Sequence, residues 1–180
     1  KATRTLVKDD RMDAQELALR FYAFYLTYDF EKEKLTYDYK NVSSMLDDKI
    51  ELLNEMNKEK LEQLYDKFDT AMKRCYQVFG KYCFTKISIT KENEIELMSR
   101  DYINKSLFTA YSVLLSHPKY NDVMLQVYQD KVVKVFANEL KNQDYINSIT
   151  VGTGDRSRVE QNFCFSADVL RKGCVDDTEN

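Results

Sequence analysis

Turn-forming residues are scarce in this chain of 180 residues, which has four glycines and a single proline. A sheet-rich domain with many tight turns uses more of both, so the shortage excludes that class and favours helices. Tryptophan is absent, and histidine occurs once, at His117. The cysteines Cys75, Cys83, Cys164 and Cys174 form no CxxC pair and lie far from His117 in sequence. Zinc-site spacing is therefore missing, and no metal is expected. No apolar run approaches the ~20 residues of a membrane-spanning helix, so no membrane contact is expected. The net charge is −3, with both signs spread along the chain and no basic stripe. That excludes a nucleic-acid affinity dominated by phosphate neutralisation. The carboxylates do not converge either: Asp47 with Asp48 and Asp176 with Asp177 are adjacent, and adjacent residues on a helix diverge. Without a nucleophile beside a base, no catalytic residue and no cofactor are expected.

Large apolar residues are what the chain does have. Hydrophobic residues make up 43% of it, including thirteen tyrosines and ten phenylalanines. A chain of this length buries roughly 70% of its unfolded surface and needs no covalent staples to hold a core. Each tyrosine carries a hydroxyl that wants a partner, so many belong at the core's edge with the ring in and the oxygen out. No secretory leader is readable, and reduced thiols in a cytoplasmic protein are the expectation. The chain begins at Lys1 rather than Met, as a processed chain or a piece of a longer protein would.

Residues 1–10 are polar, and Asp13 with Glu16 makes a capping-box-like start to a first helix ending near Tyr28. Leu17, Phe21, Phe24 and Tyr28 share one side, while Ala18, Tyr22, Tyr25 and Leu26 cover much of the rest. A helix apolar on all faces belongs at the centre of a protein. Glu16 and Arg20, four apart with the acid first, predict an internal ion pair inside it.

Residues 29–41 are charged and aromatic without a period and predict a surface connection. Ser43 or Ser44 is placed to cap a second helix, with Met45, Leu46, Lys49, Leu53 and Met56 along one side. The third helix has the clearest spacing, through Leu61, Leu64, Tyr65, Phe68, Ala71, Met72, Cys75 and Phe79, and Gly80 closes it. Cys75 on that stripe reads as a core filler. Residues 83–90 alternate like a strand but have no evident partner, and 91–100 read as a loop or a helix start. A fourth helix runs from about Tyr102 to Ser116, with Leu107, Ala110, Tyr111 and Leu114 inward, and Pro118 ends it. A fifth covers 120–141 on Leu125, Tyr128, Val132, Val135, Phe136 and Leu140. A short helix follows at 143–149, and a last one carries Val159, Phe163, Ser166 and Leu170 on one face. The fold class predicted is all-α, a bundle of about six helices forming one domain over 1–180, with the 12–28 helix central and at most a minor strand element.

One segment has a chemical look. In residues 151–163, Gly152, Thr153 and Gly154 precede a helix whose first turn carries Arg156 and Arg158. Free amides at a helix start attract anions, and guanidiniums beside them add to the attraction, so a phosphate would fit. The spacing is neither a P-loop nor a dinucleotide fingerprint. The structural alternative is a turn with a helix cap at Thr153 or Asp155 and two surface or ion-paired arginines. Arg11 and Arg20 divide the same way, as phosphate clamps or as ion pairs, and Glu16 favours pairing. His117 beside Pro118 reads as a C-terminal helix cap suited to the dipole. The tyrosines of the first helix read as core rather than as a base-stacking platform.

These motifs together resemble a known family. Arg11, then Glu16, Leu17, Leu19, Arg20 and Phe21, is similar to the Arg…Glu-Leu-x-Leu-Arg-Phe pattern in the C-terminal helical half of GmrS-type proteins, the ParB/sulfiredoxin-like defence family typified by the GmrSD modification-dependent restriction system. Gly152, Thr153, Arg156, Arg158 and Val159 resemble that family's later small-residue, basic turn. The family's Asp-Gly-Gln-Gln-Arg signature, in an N-terminal ParB-like domain associated with nucleotide hydrolysis, has no counterpart in this sequence. One histidine also cannot supply an HNH nuclease domain.

The resemblance implies a non-catalytic helical module of a DNA-defence protein whose ParB-like domain lies upstream. Its implied partners are that upstream domain, DNA phosphate at residues 152–158, and a nuclease. The other reading is a stand-alone helical protein-interaction or regulatory domain.

Overall fold

The computed structural model describes residues 13–98 and 102–175. Arg11, the polar stretch 1–10 and the carboxylates of Asp176 and Asp177 lie outside the described residues. The architecture is an all-α bundle with two small hairpins. In chain order the elements are α1 (Asp13–Tyr25), β1 (Tyr28–Asp29), β2 (Lys34–Leu35), α2 (Val42–Glu55), α3 (Lys58–Phe79), a 3₁₀ turn (Gly80–Tyr82), β3 (Ile87–Ile89), β4 (Ile95–Leu97), α4 (Lys105–Leu115), α5 (Asp122–Glu139), α6 (Gln143–Ser148) and α7 (Arg156–Gly173).

Asparagine opens most of the helices. Asn41, Asn57, Asn104, Asn121 and Asn142 precede α2 to α6, and each side-chain oxygen accepts an amide two or three residues on. Those amides have no partner within the helix, so each cap supplies one. The cap of α2 is therefore Asn41 and not Ser43 or Ser44; Ser44 lies inside the helix and its hydroxyl donates back to the Asn41 carbonyl. Gly80 ends α3 at φ +50°, a region that glycine enters without steric cost.

The helix buried on every side is α4 rather than α1. All side chains from Leu107 to Leu115 are buried, with α1, α3 and α7 packed around them. Polar residues in this stretch are tolerated because they bond within the helix: Thr109 Oγ1 donates to the Lys105 carbonyl at 2.7 Å and Ser116 Oγ to that of Val113 at 2.6 Å. By contrast α1 buries only Leu17, Phe21, Ala23 and Phe24, leaving Tyr22 and Tyr25 half-buried and Leu26 exposed. It also stops at Tyr25, short of Tyr28. Thr27 donates its amide to Phe24 O and its hydroxyl to Ala23 O, and the chain leaves the helix there.

The connection over 29–41 contains the first hairpin, in which Tyr28 faces Leu35 and Asp29 faces Lys34. The carboxylate of Asp29 shapes its turn by accepting the amides of Glu31 and Lys32. The strand read within 83–90 has a partner inside the stretch taken as loop or helix: Ile87 faces Leu97 and Ile89 faces Ile95. Thr90 Oγ1 accepts the amides of Glu92 and Glu94, and Asn93 takes φ +64°, so this turn forms without glycine.

A chain of hydroxyls crosses the core between α4, α6 and α7. Tyr111 and Tyr145 share a hydrogen bond at 3.1 Å, and Tyr145 shares another with Ser166 at 3.1 Å. All three are fully or almost fully buried, so the two tyrosine hydroxyls depend on this chain for partners, while Ser166 also donates to Asn162 Oδ1 at 3.4 Å.

Candidate functional site

The glycine-arginine segment lies at the start of α7, on a surface shared with α2 and the first hairpin. Gly152 takes φ +61°, and its carbonyl accepts the Asp155 amide at 2.8 Å, closing a tight turn. Gly154 rests near the backbone of Val42, and Tyr37 donates a long 3.5 Å hydrogen bond to its carbonyl. Thr153 is exposed. Asp155 is the residue before the helix, but its side chain makes no capping hydrogen bond. It folds back instead, and a Cβ on Gly152 would lie 2.7 Å from its Oδ2.

Both arginines are engaged. Arg156 donates through Nε to Glu160 at 3.0 Å and through Nη1 to Asp38 at 3.1 Å, and Glu160 with Asp38 raises its pKa further. Arg158 donates through Nη1 to Gln161 at 3.0 Å. The bonds to Glu160 and Gln161 run C-terminally along α7, and the one to Asp38 crosses to the segment after the first hairpin. The structure thus brings Gly152, Thr153, Gly154, Arg156 and Arg158 into one neighbourhood, where a carboxylate already sits beside the electropositive helix end.

Glu16 and Arg20 pair as their spacing predicts, with Arg20 Nε 2.8 Å from Oε1. The pair is not internal. Glu16 is 35% exposed, and its second oxygen accepts from Lys105 Nζ at 2.5 Å. Burial pushes the Glu16 carboxyl up, but the bonds from Lys105 and Arg20 outweigh it and leave it below its usual value. Glu16 therefore ties α1 to the first turn of α4 at the edge of the core.

His117 does not cap α4 as a cation. Its Nδ1 accepts the Lys119 amide at 3.0 Å, and its ring lies 5.2 Å from that of Phe30. Burial and the nearby Lys119 ammonium lower its pKa, which suits a neutral ring that accepts. The end of α4 is served by Arg74 of α3, whose Nη1 donates to the carbonyls of Leu115 and His117, both at 3.0 Å. Nothing local in the sequence marks Arg74 for that role.

Cys75, Cys83 and Cys174 are buried free thiols, whereas Cys164 is exposed. Burial holds the Cys75 thiol well above its ordinary pKa. Among the described residues no group of three or more His, Cys, Asp or Glu is placed to hold a metal ion. No described helix is long and apolar enough to cross a membrane.

The chain matches no family model, no curated protein and no solved structure.

The surface that departs furthest from its predicted burial is on the first half of α3. Leu64 is buried and Phe68 half-buried against the core, but Tyr65 is 61% exposed and Leu61 is 40% exposed. Beside them a groove of about 210 Å³ opens between the end of α1, the α2–α3 junction and α3. Tyr25, Leu26, Met56 and Leu64 give it apolar walls, and Lys60 and Lys67 flank it. Neither lysine side chain makes an ion pair with any described residue. Leu26 and Met56 read in sequence as the ends of predicted stripes, and their shared position here depends on how α1, α2 and α3 meet.

Proposed function

We propose that this domain is a non-catalytic helical protein-interaction module, and that the groove between α1, α2 and α3 receives an amphipathic helix of a partner. One observation carries the reading: an apolar groove flanked by two ammonium groups that pair with no described residue. Helix-in-groove recognition uses apolar anchors at helical spacing, and charges beside them fix register and steer association. Tyr25, Leu26, Met56 and Leu64 suit the anchors, while Lys60 and Lys67 suit acidic residues next to them. Leu61 and Tyr65, four apart, form an exposed apolar pair on the same helix. The test is direct titration with an acidic-flanked amphipathic helical peptide, and the outcome expected is binding that reverses its charge preference in Lys60→Glu with Lys67→Glu.

A narrower reading comes from the GmrS-type resemblance, with the module supporting an upstream nucleotide-dependent domain and contacting DNA phosphate at 152–158. It is supported by the position of Arg156, 56% exposed and held by surface ion pairs, which contribute little and exchange readily. The Asp155 carboxylate beside the same helix end weighs against it. The native length of the protein, and the presence upstream of an Asp-Gly-Gln-Gln-Arg motif, separate the two readings.

A further inference from the structure

A second concavity lies between the first hairpin and α7. It has a volume of about 420 Å³, within the range of small-molecule sites. Tyr28, Leu35 and Phe163 line it as buried residues with Ala167 half-buried beside them, and Lys34 and Cys164 are exposed at its edge. The rings of Tyr28 and Phe163 stack at 5.5 Å with an interplanar angle of 26°, and with Leu35 they make the pocket's apolar side.

The telling atom is the hydroxyl of Tyr28. This residue is only 8% exposed, and its hydroxyl makes no hydrogen bond with any described residue. A buried hydroxyl without a partner costs free energy, and native structures seldom leave one so. Tyr28 lines this pocket, and burial pushes it up to about 12, so its hydroxyl keeps its proton and can donate. Of the pocket's charged residues, Lys32, Glu33, Glu160 and Arg171 already pair with Asp29, Lys119, Arg156 and Asp168. Lys34 makes no ion pair with any described residue. What the pocket has to offer is an apolar wall, with one cation and one O–H donor that have no partner among the described residues.

We propose that this pocket binds a small carboxylate with an aromatic or branched aliphatic body, the body lying on Phe163 and Leu35 and the carboxylate accepting from Lys34 and the Tyr28 hydroxyl. The site is separate from the groove on α3 and does not depend on it. Cys164 serves as a reporter, because it is the exposed thiol at the pocket's edge while Cys75, Cys83 and Cys174 are buried.

The probe is naphthoate, and the measurement is the rate of Cys164 alkylation by iodoacetamide, followed by peptide mass spectrometry on the intact chain. Bound ligand should slow alkylation roughly ten-fold at about ten times its Kd, since only the free protein reacts. Naphthalene methanol, the neutral alcohol, should protect far less. Lys34→Gln changes an exposed residue and Tyr28→Phe keeps the ring; both should retain the wild-type melting temperature to within a few degrees and lose most of the protection. Equal alkylation rates with and without naphthoate would overturn the proposal. So would protection that persists undiminished in both variants, which would place the ligand elsewhere.

Discussion

Arg74 of α3 donates from Nη1 to the carbonyl of His117 at 3.0 Å, just beyond the end of α4. The same nitrogen reaches Leu115 O, and Nε meets the Asp122 carboxylate at 3.0 Å. One planar group thus joins α3 to the end of the most buried helix and to the start of α5. The side chain is only 13% exposed, so water replaces little of this if it is lost. Arg74→Ala should destabilise the domain by about 1.5–3 kcal/mol, the range for hydrogen bonds to charged groups. Arg74→Lys should recover only part of it, because an ammonium cannot reproduce the fork. Urea unfolding of the three proteins checks both statements.

The Tyr111–Tyr145–Ser166 chain makes Tyr145 the residue with two dependents. Tyr145→Phe removes the shared oxygen and leaves two buried hydroxyls each short of a partner. The expected cost is about 1–3 kcal/mol. Tyr111→Phe sits at the end of the chain and should cost less. Denaturant midpoints at constant slope would order the two variants.

Acid should loosen the junction of α1 with α4. The folded Glu16 carboxyl lies below its ordinary value of 4.5, so its contribution is present above the unfolded pKa and lost as pH falls through the folded one. Glu16→Gln should therefore lower the melting temperature at neutral pH, and the gap to wild type should close progressively below about pH 4.5. A gap that stays constant across that window would count against the ion network. Lys105→Met should behave the same way, since it removes the 2.5 Å contact to Glu16.

For the turn at 152–158, replacing Arg156 and Arg158 together by Ala should leave the melting temperature close to that of wild type, because both side chains are held only by surface pairs that contribute little. If DNA phosphate binds there, the same change should weaken binding across all sequences alike and flatten its salt dependence. Fluorescence anisotropy with a random-sequence duplex over a salt series reads both. Unchanged affinity would remove the phosphate role.

The legible parts of this fold were those whose spacing is set by a continuous apolar face. The later half of α3, α5 and α7 fall where Ala71, Cys75, Phe136, Phe163 and Leu170 predict them, because all five are buried. The central helix was harder to recognise. α1 reads as apolar all round since tyrosine rings count as apolar in sequence, but Tyr22 and Tyr25 are half-buried at the edge. In α4 only Leu107, Ala110, Tyr111 and Leu114 read as inward, because sequence does not show that the hydroxyls of Thr109, Ser112 and Ser116 bond within the helix.

The second hairpin was missed for a different reason. Glu94, Ile95, Glu96 and Leu97 alternate in sequence, but the strand is three residues long, too short for that pattern to stand out. In the candidate turn, the glycines and arginines were legible as a local group. Their partner Asp38, like Lys105 for Glu16, comes from a distant part of the chain. The α3 groove was not legible either, because its apolar walls come from three helices whose meeting point no local pattern records.

The central claim is that the groove flanked by Lys60 and Lys67 takes an acidic amphipathic helix. The most direct measurement is fluorescence polarisation with two labelled helical peptides sharing the same leucine anchors, one flanked by glutamates and one by lysines. The account predicts binding of the glutamate peptide alone, weakened by salt, and a reversal of that preference in Lys60→Glu with Lys67→Glu. Equal binding of both peptides, or none by either, would contradict it.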